Sequence, residues 1–420
     1  MFYNGGKSES KAVMDPETAQ ALFDKGAFLV FLNAPEEMEF GIDCNSWRTG
    51  PKFMGVKLIP PGLHYVHYSA SANSGAGLRN GFFKFYEERE IVIKEWDSTR
   101  EDVKNDFEIE EDQRERISSD MRRLDPYLGA YPLSPPTTWR KWVHLTDFIS
   151  RPLISRVLPH QGKISNISDS SIDEEEIAHL GKHEKTVESE GEAIAEDSGA
   201  MQSTQNDVTK MPTNDTQETR IEFTKFDLKK SWRQGATGPE VTRYAQDKSW
   251  LLRDLLERVY NQDPKELLGE LQLAFVCLLI AGNFAGLTQW RSLIQLVCSC
   301  QEALEQCTDT LFTRFLDVLS YQLEECQMDF FYEIEMDKSF LLHALKALSR
   351  NIDLVYSTSA TPQKLHTLKR RFESFRAFLD KKFNWTWVRE SQDEDEDEGE
   401  YAPVVVELDE DYDFNVQEET

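Results

Sequence analysis

Gly6-Lys7-Ser8 has the residue types that close a phosphate-binding loop, in which backbone amides and a lysine ammonium cradle the phosphates. That loop also needs a preceding strand and a glycine where this chain has Met1, so the pattern is incomplete. His64 and His67 stand three apart in a strand-like run. They point to opposite faces of the pleat, cannot share a metal, and read as sheet or surface polar residues. His179 and His183 would meet on a helix, but they lie among acids without cysteine partners. Cys298 and Cys300 fall roughly 200° apart around a helix, which suits packing rather than chelation. Cys44 follows Asp43 in a turn-like stretch, with His64 within folding reach. An activated thiolate needs a helix N-terminus or an adjacent base, and neither is marked here. Ser74-Gly75-Ala76-Gly77 reads as a loop. No paired-carboxylate, serine-triad or nucleotide-binding constellation emerges, so the expectation is a protein that is not an enzyme and takes no cofactor or metal.

Two features suit binding instead. The acidic run Asp393–Glu398 precedes an apolar island, Tyr401–Leu408, and Asp409–Asp411 follow it. Val404, Val405 and Val406 favour extended backbone, and the flanking acids guard against self-association. Tyr401, Val404, Val405, Val406 and Leu408 therefore suit addition as a strand to a partner's sheet edge, against the plainer reading of a solvated acidic tail. The second feature is the last helix. Lys364, Lys369, Arg370, Arg371, Arg376, Lys381 and Lys382 outnumber Glu373 and Asp380, a net +5 immediately before the acidic tail. The nearest anion to this helix is the tail itself; a merely solvated basic face is the competing reading. Trp47, Trp139, Trp142, Trp385 and Trp387 have the character of interface anchors. Buried packing serves the first three equally well, whereas Trp385 and Trp387 mark the helix-to-tail junction.

The elements that must position these residues change character along the chain. Residues 1–13 read as a flexible N-terminus. Asp15 and Pro16 open a short helix that ends before Gly26. Strand-like runs follow at 26–33, 38–43, 53–59, 63–69, 81–87 and 91–96, separated by turn residues such as Pro60-Pro61-Gly62. Strands at this spacing without long intervening helices predict an antiparallel sandwich or barrel-like domain over 14–160, with flanking helices near 103–124 and 137–149. Residues 161–219 lack aromatics and are rich in Ser, Glu, Asp and Thr; such a segment cannot bury enough apolar surface to order itself, so it reads as a disordered acidic insert. Residues 220–230 resemble a strand returning to the first domain. From 239 to 388 the period is helical: Leu287, Trp290, Ile294 and Val297 share one face, as do Leu304, Cys307, Leu311, Phe315 and Leu319, and Leu365, Leu368, Phe372, Phe375 and Leu379. Five or six helices fit there, with Asp263-Pro264 and Thr361-Pro362 as start signals. The acidic tail occupies 389–420. The fold class is therefore α+β in two domains: a β-rich N-terminal half and an all-helical C-terminal half.

The 420 residues carry a net charge of −28, of which the insert holds −10 and residues 390–420 hold −15, leaving the folded parts near −3. Free polyanionic segments repel phosphate backbones, which disfavours direct nucleic-acid binding. Of six cysteines, five (Cys277, Cys298, Cys300, Cys307 and Cys326) lie in helical, apolar stretches, a usage that suits a reducing compartment. No secretory signal stands at the N-terminus, and the longest apolar run, Leu273–Ala281, is too short to span a bilayer. A soluble intracellular protein is expected.

Residues 40–68 read FGIDCNSWRTGPKFMGVKLIPPGLHYVHY. The Gly-Ile-Asp turn, Asn45-Ser46-Trp47, Gly50-Pro51-Lys52-Phe53 with Gly55, and Ile59-Pro60-Pro61-Gly62 together resemble the signature of the Aar-two (A-one cistron) splicing factor family. Gly81-Phe82-Phe83-Lys84-Phe85 and Ile91-Val92-Ile93 with Trp96-Asp97 continue the likeness. The resemblance implies a β-rich N-terminal domain and a VHS-like helical C-terminal domain. It also implies an assembly chaperone of the U-five snRNP, a monomer when free, found in cytoplasm and nucleus. Such a factor holds the RNase-H-like and neighbouring C-terminal domains of Prp-eight and excludes the Brr-two helicase until maturation. Tyr401–Leu408 occupies the place of the family's partner-binding tail strand. The family's release by phosphorylation would fall here on Ser170 and Ser171, which precede an acidic run favoured by acid-directed kinases. The remaining alternative is a VHS-like peptide-binding adaptor unrelated to splicing.

Overall fold

The computed structural model describes residues 24–70, 78–133, 136–159, 162–167, 220–327, 330, 338–359 and 362–385. The strands are β1 Ala27–Leu32, β2 Glu39–Ile42, β3 Asn45–Arg48, β4 Gly55–Ile59, β5 Gly62–Ser69, β6 Asn80–Tyr86, β7 Ile91–Asp97, β8 Asp102–Val103, β9 Gly129–Ala130 and β10 Lys163–Ser165. The α-helices are α1 Glu111–Ser119, α2 Met121–Leu124, α3 Pro136–Thr146, α4 Arg151–Val157, α5 Gly238–Gln246, α6 Ser249–Arg258, α7 Pro264–Leu279, α8 Phe284–Cys298, α9 Ala303–Cys307, α10 Thr313–Glu325, α11 Lys338–Thr358 and α12 Pro362–Phe383. The chain folds as two compact units, the first drawn from Met1–Lys225, Asp263–Leu293 and Asp317–Glu325, the second from Phe226–Gln262, Ile294–Leu316 and Cys326–Thr420. Part of the helical stretch 239–388 thus belongs to the β-rich unit.

In the first unit two five-stranded sheets run β8-β7-β1-β4-β9 and β10-β6-β5-β2-β3. Leu29 and Phe31 of β1 share a core with Phe40, Ile42, Val66, Tyr68 and Phe82 of the other sheet, which makes the pair a sandwich. Val30 faces the opposite way, onto Ile93 and Ile109, with Ile117, Met121 and Leu124 of α1 and α2 covering that side. The expectation of a purely antiparallel arrangement does not hold. β1 pairs parallel with β7, from Phe28 opposite Ile91 to Leu32 opposite Glu95, and β4 pairs parallel with β9. A parallel pair needs a long crossover, usually a helix. Here the crossover from β1 to β7 is made of the strands β2 to β6 themselves, four of which build the second sheet.

β5 is buried along nearly its whole length on both faces, so the outer face of the second sheet is also covered. Trp142 of α3 donates its indole N–H to the Leu63 carbonyl of β5 at 2.6 Å. The helix α7 is buried from Leu267 to Leu278, all round its circumference, including Glu270 and Gln272. A buried polar side chain is tolerated when its hydrogen bonds are made. Gln272 Oε1 accepts the Phe148 N–H at 2.8 Å, and its amide donates to His144 O and Asp147 Oδ1 at 3.0 and 2.7 Å. Glu270 accepts from the Thr224 backbone N–H and hydroxyl at 2.7 Å each, from Arg156 Nη2 at 2.8 Å and from the Gln289 amide at 2.9 Å. Residues 220–225 run extended beside α4, with Glu222 N–H donating to Val157 O at 2.7 Å, and Ile221 and Phe223 are buried.

The second unit is helical. Asp247 sits between α5 and α6 and caps two helices at once: Oδ1 accepts from Ser249 N at 2.9 Å and Gln301 N at 3.0 Å, and Oδ2 accepts from Glu302 N at 3.0 Å. Ser249 Oγ then accepts the Ala303 N–H at 3.0 Å, anchoring the start of α9. Between 239 and 384 the described residues hold eight α-helices and a π-helical turn, Thr308–Phe312, where five or six helices were expected. The surplus arises where Asp247 separates α5 from α6 and where the π turn cuts the run Leu304–Leu319, which reads as one helix in sequence.

Candidate partner-binding surface

α12 buries Leu365, Leu368, Phe372, Phe375 and Leu379. These recur at the three- and four-residue spacing that places side chains on one helical face. Arg370 and Lys381 are exposed opposite them, and Lys364 and Arg371 are exposed beside one edge of the buried stripe. Lys369 is committed sideways to α11, with Nζ 2.5 Å from Asp353 Oδ1 and 5.2 Å from the Tyr356 ring centre. The hydrogen bond to Asp353, and then that carboxylate's charge, hold its ammonium above the usual lysine range. The helix ends at Asn384, whose φ of 54° is the left-handed cap that Asn adopts most readily after Gly. Trp385 then folds back, its ring stacked on Phe383 at 5.4 Å, with Lys382 Nζ 5.7 Å from the same Phe383 ring. Trp385 is half-buried. Trp387, Tyr401, Val404, Val405, Val406 and Leu408, with Ser170 and Ser171, lie outside the described residues. Of the other tryptophans, Trp142 is buried, Trp47 packs against the sandwich core, and Trp139 is exposed on α3.

A second cluster has the residue types of chemistry. Asp43 Oδ2 lies 2.7 Å from His64 Nδ1 and accepts from the Tyr131 hydroxyl at 2.5 Å, while Oδ1 accepts the Tyr65 N–H at 3.0 Å. His64 Nε2 faces the Pro60 carbonyl at 2.8 Å and so donates to it. Asp43, His64 and Tyr131 are all buried. Burial, and then the Asp43 carboxylate, push the Tyr131 hydroxyl far above the ordinary tyrosine range. With every ring nitrogen and carboxylate oxygen engaged, the cluster cross-links β5, the β2–β3 turn and the chain after β9. Neighbouring Cys44 keeps an exposed surface, yet its sulfur is crowded; desolvation, then the Asp43 and Glu325 carboxylates, raise its thiol against the pull of Lys141. That is the reverse of an activated thiolate. His67, expected as a surface or sheet residue, is a buried sheet residue. Among the described residues no group of three or more His, Cys, Asp or Glu has metal-holding geometry.

A family profile described as the AAR2 N-terminal domain matches residues 25–159, and one described as the AAR2 C-terminal repeat region matches residues 223–387. The chain belongs to the AAR2 family. A human protein named "Protein AAR2 homolog" is 33% identical over 381 residues, 90% of this chain and 94% of the relative. The Caenorhabditis elegans protein of the same name is 32% identical over 376 residues, 89% and 98% of the two chains. A Saccharomyces cerevisiae relative, "A1 cistron-splicing factor AAR2", is 24% identical over 298 residues, 70% of this chain and 76% of its own.

The AAR2 signature at 40–68 is a set of folding constraints in this chain. Gly55 has a φ of 130°, and a Cβ there would stand 1.9 Å from the Leu29 carbonyl oxygen. At Gly41 a Cβ would meet the His67 ring at 2.1 Å. Asp43, itself at a φ of 56°, and the Pro60 carbonyl hold His64 from both sides. In sequence Cys44 and His64 stand out as a thiol with a base within reach, whereas the structure pairs His64 with Asp43, one residue away. Glu270 carries a signal of its own, a lone acid inside an apolar helical run, which marks a buried, partnered carboxylate.

Proposed function

We propose that this AAR2-family chain is a non-enzymatic pre-mRNA splicing factor, an assembly chaperone of the U-five snRNP. It binds the RNase-H-like and neighbouring C-terminal domains of Prp-eight and blocks premature binding of the Brr-two helicase. The observation that carries the reading is the match of both halves of the chain to one family, which includes a yeast relative named as a splicing factor. Chaperoning of this kind is mutual exclusion on a partner surface, linkage without chemistry. Trp385 and Trp387 at the helix-to-tail junction and Tyr401, Val404, Val405, Val406 and Leu408 in the tail are the contact residues, the latter adding as a strand. Added phosphate charge at Ser170 and Ser171 tunes release. The protein is a monomer when free and works in cytoplasm and nucleus.

The test is capture from cell extract with the full chain and with a chain ending at Arg389. Recovery of Prp-eight and other U-five components by the full chain, and their loss from the shortened one, is the expected result. Recovery by both moves the contact to the folded units. Recovery of no spliceosomal component by either overturns the reading and leaves the peptide-binding adaptor in its place.

A further inference from the structure

We propose that the outer face of α12 is a docking surface whose occupant in the free protein is the chain's own acidic run, Asp393–Glu400. The face is built for a polyanion. Lys364, Arg370, Arg371 and Lys381 are exposed along it. At 100° per residue, Arg370 and Lys381 point away from the buried stripe, Lys364 and Arg371 lie toward one of its edges, and the two acids of the helix, Glu373 and Asp380, lie toward the other. Between the cations the exposed Thr367 and Ser374, with Ala377 beside them, are short and uncharged and leave room for a backbone to lie close, and the larger Gln363 and His366 are exposed toward the start of the helix.

Length and direction agree with this occupant. From Lys381 back to Lys364 the helix covers about 26 Å at 1.5 Å per residue. Asp393–Glu400, with seven acids in eight residues, spans about the same length when extended. The chain between α12 and that run has about 26 Å of reach, enough to double back. The exit geometry starts the reversal: Asn384 leaves the helical path with a φ of 54°, and Trp385 turns onto Phe383 instead of continuing the axis. A tethered segment acts at an effective concentration in the millimolar range, so weak electrostatic contacts suffice to keep the face covered. Any acidic partner segment must then displace the tail. This inference concerns the chain alone and stands apart from the splicing reading.

The experiment uses the full chain, a full chain with tail acids neutralised (Asp393→Asn, Glu394→Gln, Asp395→Asn, Glu396→Gln) and a helix variant (Arg370→Glu, Lys381→Glu). Carbodiimide, which joins amines to touching carboxylates, should link Lys364 or Lys381 to residues 393–400, with a yield independent of protein concentration. A fluorescent deca-glutamate peptide should bind the tail-neutralised chain about tenfold more tightly than the parent. Adding the helix substitutions should abolish that gain. Links that grow with concentration, no links to the tail, or equal peptide affinities in parent and tail-neutralised chains would each overturn the proposal. Circular dichroism of every chain, the combined variant included, separates loss of binding from loss of fold.

Discussion

Glu270 Oε1 accepts the backbone N–H of Thr224 at 2.7 Å while Oε2 accepts the same residue's hydroxyl, so one buried carboxylate fastens a chain segment 46 positions away. The carboxylate is fully buried, and Arg156 and Gln289 complete its shell. Glu270→Ala would strand these donors in the interior. Removing one partner of a buried charged network costs about 3–5 kcal/mol. Urea unfolding should record a loss of that order, and limited proteolysis should begin to cut near Thr224. Glu270→Gln should lie between the parent and the alanine variant, because one amide oxygen still accepts while its NH2 faces a donor.

Two signature glycines should answer differently to the same substitution. Gly55→Ala forces a Cβ into the Leu29 carbonyl at a positive φ, and should leave the protein insoluble or destabilised by about 3 kcal/mol or more. Gly50→Ala meets nothing within 4 Å and should stay within about 0.5 kcal/mol of the parent. Unfolding midpoints of the two variants, measured side by side, check the contrast.

Acid should weaken the β-rich unit through His67. Burial first, then the nearby Arg79 guanidinium, hold its imidazole down to about 3, against the pull of the Asp43 backbone. The unfolded chain titrates near the ordinary histidine value of about 6.5. Between these values the unfolded state binds more proton than the folded one, so stability is intact above pH about 6.5 and falls as pH drops toward 3. The slope from this one group is on the order of 1 kcal/mol per pH unit. A His67→Gln variant, whatever its stability at neutral pH, should show a shallower loss across that window.

Trp385→Ala should separate binding from folding. The residue lies past the end of α12 and is half-buried on Phe383, so the urea midpoint should stay near that of the parent. Loss of an aromatic anchor costs on the order of 2 kcal/mol at an interface, about 30-fold in affinity. Recovery of Prp-eight from extract should fall accordingly; unchanged recovery would remove Trp385 from the contact.

Sequence made legible whatever periodicity or turn chemistry encodes. The apolar runs at 26–33, 38–43, 53–59, 63–69, 81–87 and 91–96 are β1, β2, β4, β5, β6 and β7 to within a few residues. β3 is polar, and β8, β9 and β10 are two or three residues long, too short for alternation to register. Pairing direction was hidden too, because the crossover between β1 and β7 is made of strands. The apolar run Leu273–Ala281 marked only the second half of α7; Glu270 and Gln272 break the pattern before it, so burial of α7 on all sides was not legible. The hydrogen-bond partners of Glu270 and Gln272 come from Phe148, His144 and Thr224, and no local pattern points to them. At the helix-to-tail junction the tryptophans were evident, but the left-handed turn at Asn384 was not.

Because the β-rich unit draws Asp263–Leu293 and Asp317–Glu325 into its own fold, its sandwich cannot be finished in the order in which a ribosome delivers it. Every described strand has emerged by Ser165, yet the carboxylate and amide that accept the N–H groups of Phe148 and Thr224 arrive only with Glu270 and Gln272. At about 5–20 residues per second, the wait from Ser165 to Glu325 lasts on the order of ten seconds. During that interval the nascent chain carries backbone donors whose acceptors have yet to be made, and its yield in a cell should depend on what shelters it there.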